Sequence, residues 1–114
     1  MTGVQTCALP ISSKILILVS TNCYAVSGTE PMLTIYRNGS NILGTSGFTN
    51  GYIQSSAFVL SLCGNYLDSP ASTSAQTYTM YFANAAGNGA TLQLNFGGSG
   101  DDQTSTITLM EIAG

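Results

Sequence analysis

Lys14-Ile15-Leu16-Ile17-Leu18-Val19-Ser20 decides the fold. β-branched residues fit a pleated, half-buried surface, and side chains alternate across a strand. Ile15, Ile17 and Val19 therefore share one side, and Leu16 and Leu18 share the other. An antiparallel strand with two apolar faces needs cover on both. A sandwich core covers one. A neighbouring subunit is the simplest cover for the second. The same two-faced pattern recurs in Phe58 and Leu60 against Val59. It recurs again in Met80 and Phe82 against Tyr81, and in Ile107 and Leu109 against Met110 and Ile112. Residues 91–96 differ. There Leu92, Leu94 and Phe96 alternate with Gln93 and Asn95, as in a half-exposed strand.

The rest of the chain reads as strands and turns. Leu33 and Ile35 alternate with Thr34 and Tyr36. Asn38-Gly39 then fits a tight type I′ hairpin, because both positions accept positive φ. Ile42-Leu43 begins the return strand, and residues 52–62 form a long apolar run. Residues 63–76 read mostly as loop, 77–83 as strand, Gly87-Asn88-Gly89 as a hairpin and 104–112 as the last strand. No window shows helical spacing with a cap. The reading is all-β, an antiparallel sandwich in one domain over 12–114.

Residues 1–11, from Met1 to Ile11, match in order the in-frame translation of a short-read sequencing adapter. This implies that the natural N-terminus is missing and that the source is environmental; the alternative is a real first strand or a short signal peptide, against which stands the absence of a charged n-region and an apolar h-region. It removes Cys7 and Pro10 from the physical argument, and the fold should not need these residues.

Charged residues are 6% of the chain, with a net charge of −3, against roughly 25% in ordinary globular proteins. So little charge does little to keep copies apart. Lys14 and Arg37 are the only basic residues, too few for a phosphate-tracking surface, so no nucleic acid is expected. The longest uninterrupted aliphatic run, residues 15–19, is too short to cross a bilayer, so no membrane insertion is expected. Cys23 and Cys63 read as small core or near-core thiols kept reduced. The chain has no His and no Cys-x-x-Cys, so neither a zinc site nor a Ser-His-Asp centre is expected.

The acids are Glu30, Asp68, Asp101, Asp102 and Glu111, and nothing in their spacing supports a glycosidase pair. Asp101-Asp102 sits in a Gly-rich turn, and Asp68 before Ser69-Pro70 reads as a turn former. Glu111 reads as an edge charge paired with Lys14. The six tyrosines read mostly as sheet and interface residues. No enzyme, metal or cofactor is expected.

Tyr66-Leu67-Asp68-Ser69-Pro70-Ala71-Ser72-Thr73-Ser74-Ala75-Gln76-Thr77-Tyr78 resembles a stretch found in many phage virion proteins. Ser105-Thr106-Ile107-Thr108-Leu109-Met110-Glu111-Ile112-Ala113 resembles their C-terminus, and Ser13-Lys14-Ile15-Leu16-Ile17-Leu18-Val19 also fits. The likeness is to C-terminal domains of tail-fibre or appendage proteins. It implies a tumour-necrosis-factor-like jelly roll, trimeric about a threefold axis and located in the virion. In that fold the first, third, sixth and last strands form the axial sheet. That sheet would include 14–20, 77–83 and the last strand, with 91–96 in the outer sheet. Leu16, Leu18, Tyr81, Leu109 and Met110 are then the expected trimer contacts. First and last strands would be antiparallel neighbours, with Ser12 and Gly114 together at the proximal end. That arrangement requires an eighth strand, expected within 65–69. Cys63-Gly64-Asn65 departs from the family pattern. The distal loops would be 21–31 and 97–103, carrying Tyr24, Glu30, Asp101 and Asp102 toward a host-surface glycan or protein. The 85–90 turn would lie elsewhere. The alternatives are an assembly or decoration module without ligand and a carbohydrate-degrading enzyme.

Overall fold

The computed structural model describes residues 3–7, 12–45, 47–95 and 103–114. Among them nine strands and no helix occur: β1 (Gly3–Cys7), β2 (Lys14–Ala25), β3 (Pro31–Arg37), β4 (Ser40–Asn41), β5 (Thr49–Asn50), β6 (Phe58–Asp68), β7 (Gln76–Asn84), β8 (Leu92–Leu94) and β9 (Thr106–Ile112). All pairings are antiparallel. One sheet runs β1-β7-β3-β4, with β5 also on β3. The other has β2 at its centre, with β6 on one edge and both β8 and β9 on the other.

The two sheets pack through one set of alternating residues. Ile15, Ile17, Val19, Cys23 and Ala25 of β2 and Leu62 of β6 meet Leu33 and Ile35 of β3 and Tyr78 and Met80 of β7. Ile53, from the segment between β5 and β6, joins them. Fully burying one such aliphatic side chain stabilises by about 1.5–3 kcal/mol, so this layer dominates the fold. The all-β antiparallel reading is thus what the structure shows.

Several boundaries differ from the sequence reading. β2 does not stop at Ser20. Thr21, Cys23 and Ala25 continue the buried side, and β6 pairs with β2 as far as Ala25. Residues 63–68 are not loop. They complete β6, so the strand expected within 65–69 is the end of a longer one. Pairing along β2 outweighs the local turn signal of Gly64-Asn65. Gly64 has its own reason, since a Cβ there would stand 2.6 Å from the ring of Phe48. Residues 52–57 are not strand, and β4 ends before Ile42. The Asn38-Gly39 hairpin is present, with φ of 49° and 83° and Arg37 paired to Ser40.

The distribution of strands between sheets also differs. β7 lies with β3, not with β2 and β9, so 14–20, 77–83 and the last strand do not share one sheet. β8 lies in the sheet of β9. It pairs with residues 23–25 of β2, and β9 pairs with 14–20, so the two lie in line along one edge. Gly87-Asn88-Gly89 therefore sits in a crossover between sheets, not in a hairpin. The strands over 14–20 and 104–112, read as first and last, are antiparallel neighbours as expected, β2 pairing with β9; β1, from residues the sequence reading set aside, precedes them in the chain and pairs with β7. Gly114 packs directly on the Ser12 backbone.

Gly64→Ala is expected to destabilise by about 1–3 kcal/mol, the usual cost of overpacking. On a Phe48→Ala background the same change should cost much less, because its cause is the ring. A double-mutant cycle in urea measures the coupling; additive costs would contradict the contact.

Candidate assembly face

The outer side of the β6-β2-β9 sheet carries the most apolar exposed surface among the described strands. At one ladder level Leu67, Leu16 and Met110 lie side by side across the three strands. Leu67 is 47% and Met110 46% exposed, and Leu16 is half-buried between them. Ile112 stands beside Lys14 on one side of this row, and Leu18 lies on the other, both exposed. Farther along β2 the face turns polar, through Thr108 and Asn65 beside Leu18, then Thr106, Ser20 and Cys63. This row thus lies at the end of the sheet where Ser12 and Gly114 meet, while Val59, exposed beside Tyr24, is the apolar residue of the other end.

The five expected contacts do not share this surface. Leu16, Leu18 and Met110 do. Leu109 does not, because strand parity sets it opposite Ile17 and packs it on the core. Tyr81 belongs to the outer face of the other sheet, where its ring lies 4.4 Å from that of Tyr36. Leu67 and Cys63 are not among the five, because residues 63–68 read as loop, where no face is defined. Ile112 shares the Met110 side of the last strand but is not among the five either.

The thiols divide between the two sides. Cys23 is fully buried on the core side, and desolvation pushes its pKa up to about 11, so it stays protonated at neutral pH. Cys63 is exposed on the outer face and is not a core residue. With opposite orientations across the sheet, they form no bridge.

Polar side chains fasten the same end from within. Asp68 is no turn former. It ends β6 facing inward, where Arg37 Nη1 donates to both carboxylate oxygens at 2.8 Å. Tyr78 Oη donates to Asp68 Oδ2 at 2.6 Å. The hydrogen bond to Asp68, more than its charge, raises the Arg37 pKa. Glu111 does not pair with Lys14, since register puts them on opposite sides of β9 and β2. It accepts from Ser13 Oγ at 2.7 Å instead.

The loops at the far end are arranged otherwise than expected. Tyr24 is half-buried near the end of β2, on the outer side. Glu30 leads into β3, in the other sheet. Its N–H donates to Asn84 Oδ1 at 2.9 Å, and its carbonyl accepts from Ala85 N–H at 2.8 Å. Asn88 Nδ2 also donates to the Gly28 carbonyl. Segments 26–30 and 85–90 therefore share one end, where the sequence reading separated them. Asp101 and Asp102 lie outside the described residues. The flanks of their segment sit part-way along β2, with Asn95 N–H donating to the Asn22 carbonyl at 3.1 Å and Gln103 N–H to the Asn95 carbonyl at 3.4 Å. Asn95 and Gln103, the described residues on either side of that segment, thus lie at the flank of the sheet.

Among the described residues no group of three or more His, Cys, Asp or Glu is placed to hold a metal ion. No helix there is long and apolar enough to cross a membrane. Searches of family models, curated proteins and solved structures find no match to the chain.

Asp68→Ala leaves Arg37 and Tyr78 without their acceptor. Breaking a fully buried pair costs roughly 3–5 kcal/mol. With the Arg37 side chain 28% exposed, the expected loss is smaller, about 2 kcal/mol. Tyr78→Phe should cost about 1 kcal/mol. Urea unfolding of both variants checks the order; equal losses would remove the ion pair from the account.

Proposed function

We propose that this chain is a self-associating structural domain of a phage virion appendage, working as a homotrimer and presenting its far end to the host surface. The observation that carries the reading is the apolar patch of Leu16, Leu18, Leu67, Met110 and Ile112 on an otherwise solvent-facing sheet. Contiguous exposed apolar surface of this kind marks an interaction site, and a low charge density does not oppose contact between copies. The blocks resembling phage virion proteins supply the class. The reading keeps the two-layer sandwich and the threefold assembly of the jelly-roll family. It does not keep that family's assignment of first, third, sixth and last strands to one sheet. Loops on a rigid scaffold are where binding usually lives, so adhesion is assigned to the far end, with Tyr24 and Glu30 near it. A glycan array on the assembled protein separates an adhesin from a module that only assembles.

Met110→Glu and Leu67→Glu each bring a carboxylate into the proposed contact. A buried unpaired charge costs several kcal/mol, so association should weaken by at least about tenfold while the sandwich stays folded. Sedimentation gives the assembly state and circular dichroism the fold. Cys63, on the same face, should react with iodoacetamide faster in these variants than in wild type, and Cys23 should stay unreactive in all. A wild type that sediments as a stable monomer would refute the proposal.

A further inference from the structure

We propose that the β7 edge facing away from β3 is a strand-acceptor site, and that in the natural protein the extended segment leading into Ser12 fills it. The inference rests on reading residues 1–11 as adapter-derived and is independent of the phage assignment. β1 pairs with β7 at five successive positions, from Gly3 with Met80 to Cys7 with Gln76. It also closes the flank of the sandwich. A Cβ at Gly3 would stand 3.2 Å from Ile107 Cγ2 of β9 and 4.0 Å from Met80 Cε. Ile107 and Leu109 are half-buried on the core side there.

On the adapter reading, a segment never selected to pack here completes the ladder. The acceptor, more than the occupant, must then specify the pairing. β-strand addition has this property, because its affinity comes from main-chain hydrogen bonds that any extended peptide without Pro can offer. Val4, 60% exposed, shows how little its outward side chain contributes. One position is restrictive. Opposite Met80 the occupant needs Gly or another small residue, because Ile107 stands directly behind it. The occupant's source follows from direction. β1 runs toward the Gln76 end of β7, where β2 begins, so a chain arriving at Ser12 is placed to lie along this edge. Left empty, the edge would expose a row of unpaired N–H and C=O groups beside apolar surface.

The test uses the full chain in three forms. Val4→Thr/Gln5→Val/Thr6→Val rewrites β1 with strand-compatible residues. Val4→Pro/Gln5→Pro prevents pairing, and Gly3→Val forces the contact with Ile107. Amide hydrogen exchange at 76–80 is the readout, with 15–25 as the internal control. The rewritten chain should keep its protection within about threefold, and the other two should lose at least about tenfold at 76–80 only. A wild-type peptide of residues 1–7, added to the double-Pro chain, should restore protection. Retention in the rewritten chain without rescue by peptide would overturn the acceptor site while leaving the adapter reading intact. Loss in the rewritten chain as deep as in the double-Pro chain would overturn both. Rescue of 76–80 by dimerisation of the double-Pro chain, without peptide, would make the occupant a second copy and overturn the assignment to the segment before Ser12.

Discussion

Everything in this fold depends on β2 being paired along both edges. It holds eleven successive partners on β6, seven on β9 and three on β8. A strand so placed has no free backbone edge over most of its length, and its register is fixed from two sides. A slip of one residue would send Ile15, Ile17 and Val19 outward and bring Leu16, Leu18 and Lys14 in. Such a slip would bury the Lys14 ammonium. The buried layer and the charge at its end therefore enforce the same register.

What the sequence shows depends on whether the determining contact is local. The Asn38-Gly39 hairpin was legible because positive φ at two adjacent positions is a property of those residues. The alternation in 14–20 was legible because strand parity needs no partner. Residues 63–68 were not. Gly64-Asn65 reads as a turn in isolation, and the reason for Gly64 is the ring of Phe48, sixteen positions earlier in the chain. Sheet membership was illegible for the same reason. Residues 77–83 look as apolar on both sides as 14–20, but the outward partner of Tyr81 is Tyr36. That face is partly covered from within its own sheet.

The candidate surface was legible by half. Leu16, Leu18 and Met110 follow from parity once their strands are recognised. Leu109 follows from parity too, but the choice of side requires knowing that Ile107 and Leu109 look toward Ile17 and Val19. Leu67 and Ile112 could have been found by extending the same alternation. Asp68 carried a local signal, Asp before Ser-Pro, that a distant partner overrode. Its real determinants are Arg37 and Tyr78, which face each other across β3 and β7.

The two outer faces differ in what contact through each would cost. On the β1-β7-β3-β4 sheet, Thr34 and Thr79 stand among Tyr36 and Tyr81, and Thr34 Oγ1 is already bonded to Asn41. On the other sheet, Leu67, Leu16 and Met110 present hydrocarbon with no polar group of their own to satisfy. Contact through the second face strands no side-chain donor at that level, whereas contact through the first must re-pair hydroxyls. The apolar row also lies at the end where Ser12 and Gly114 adjoin. Contact through that row would leave segments 26–30 and 85–90, at the other end of the sheets, uncovered, which is the arrangement the proposed self-associating domain needs.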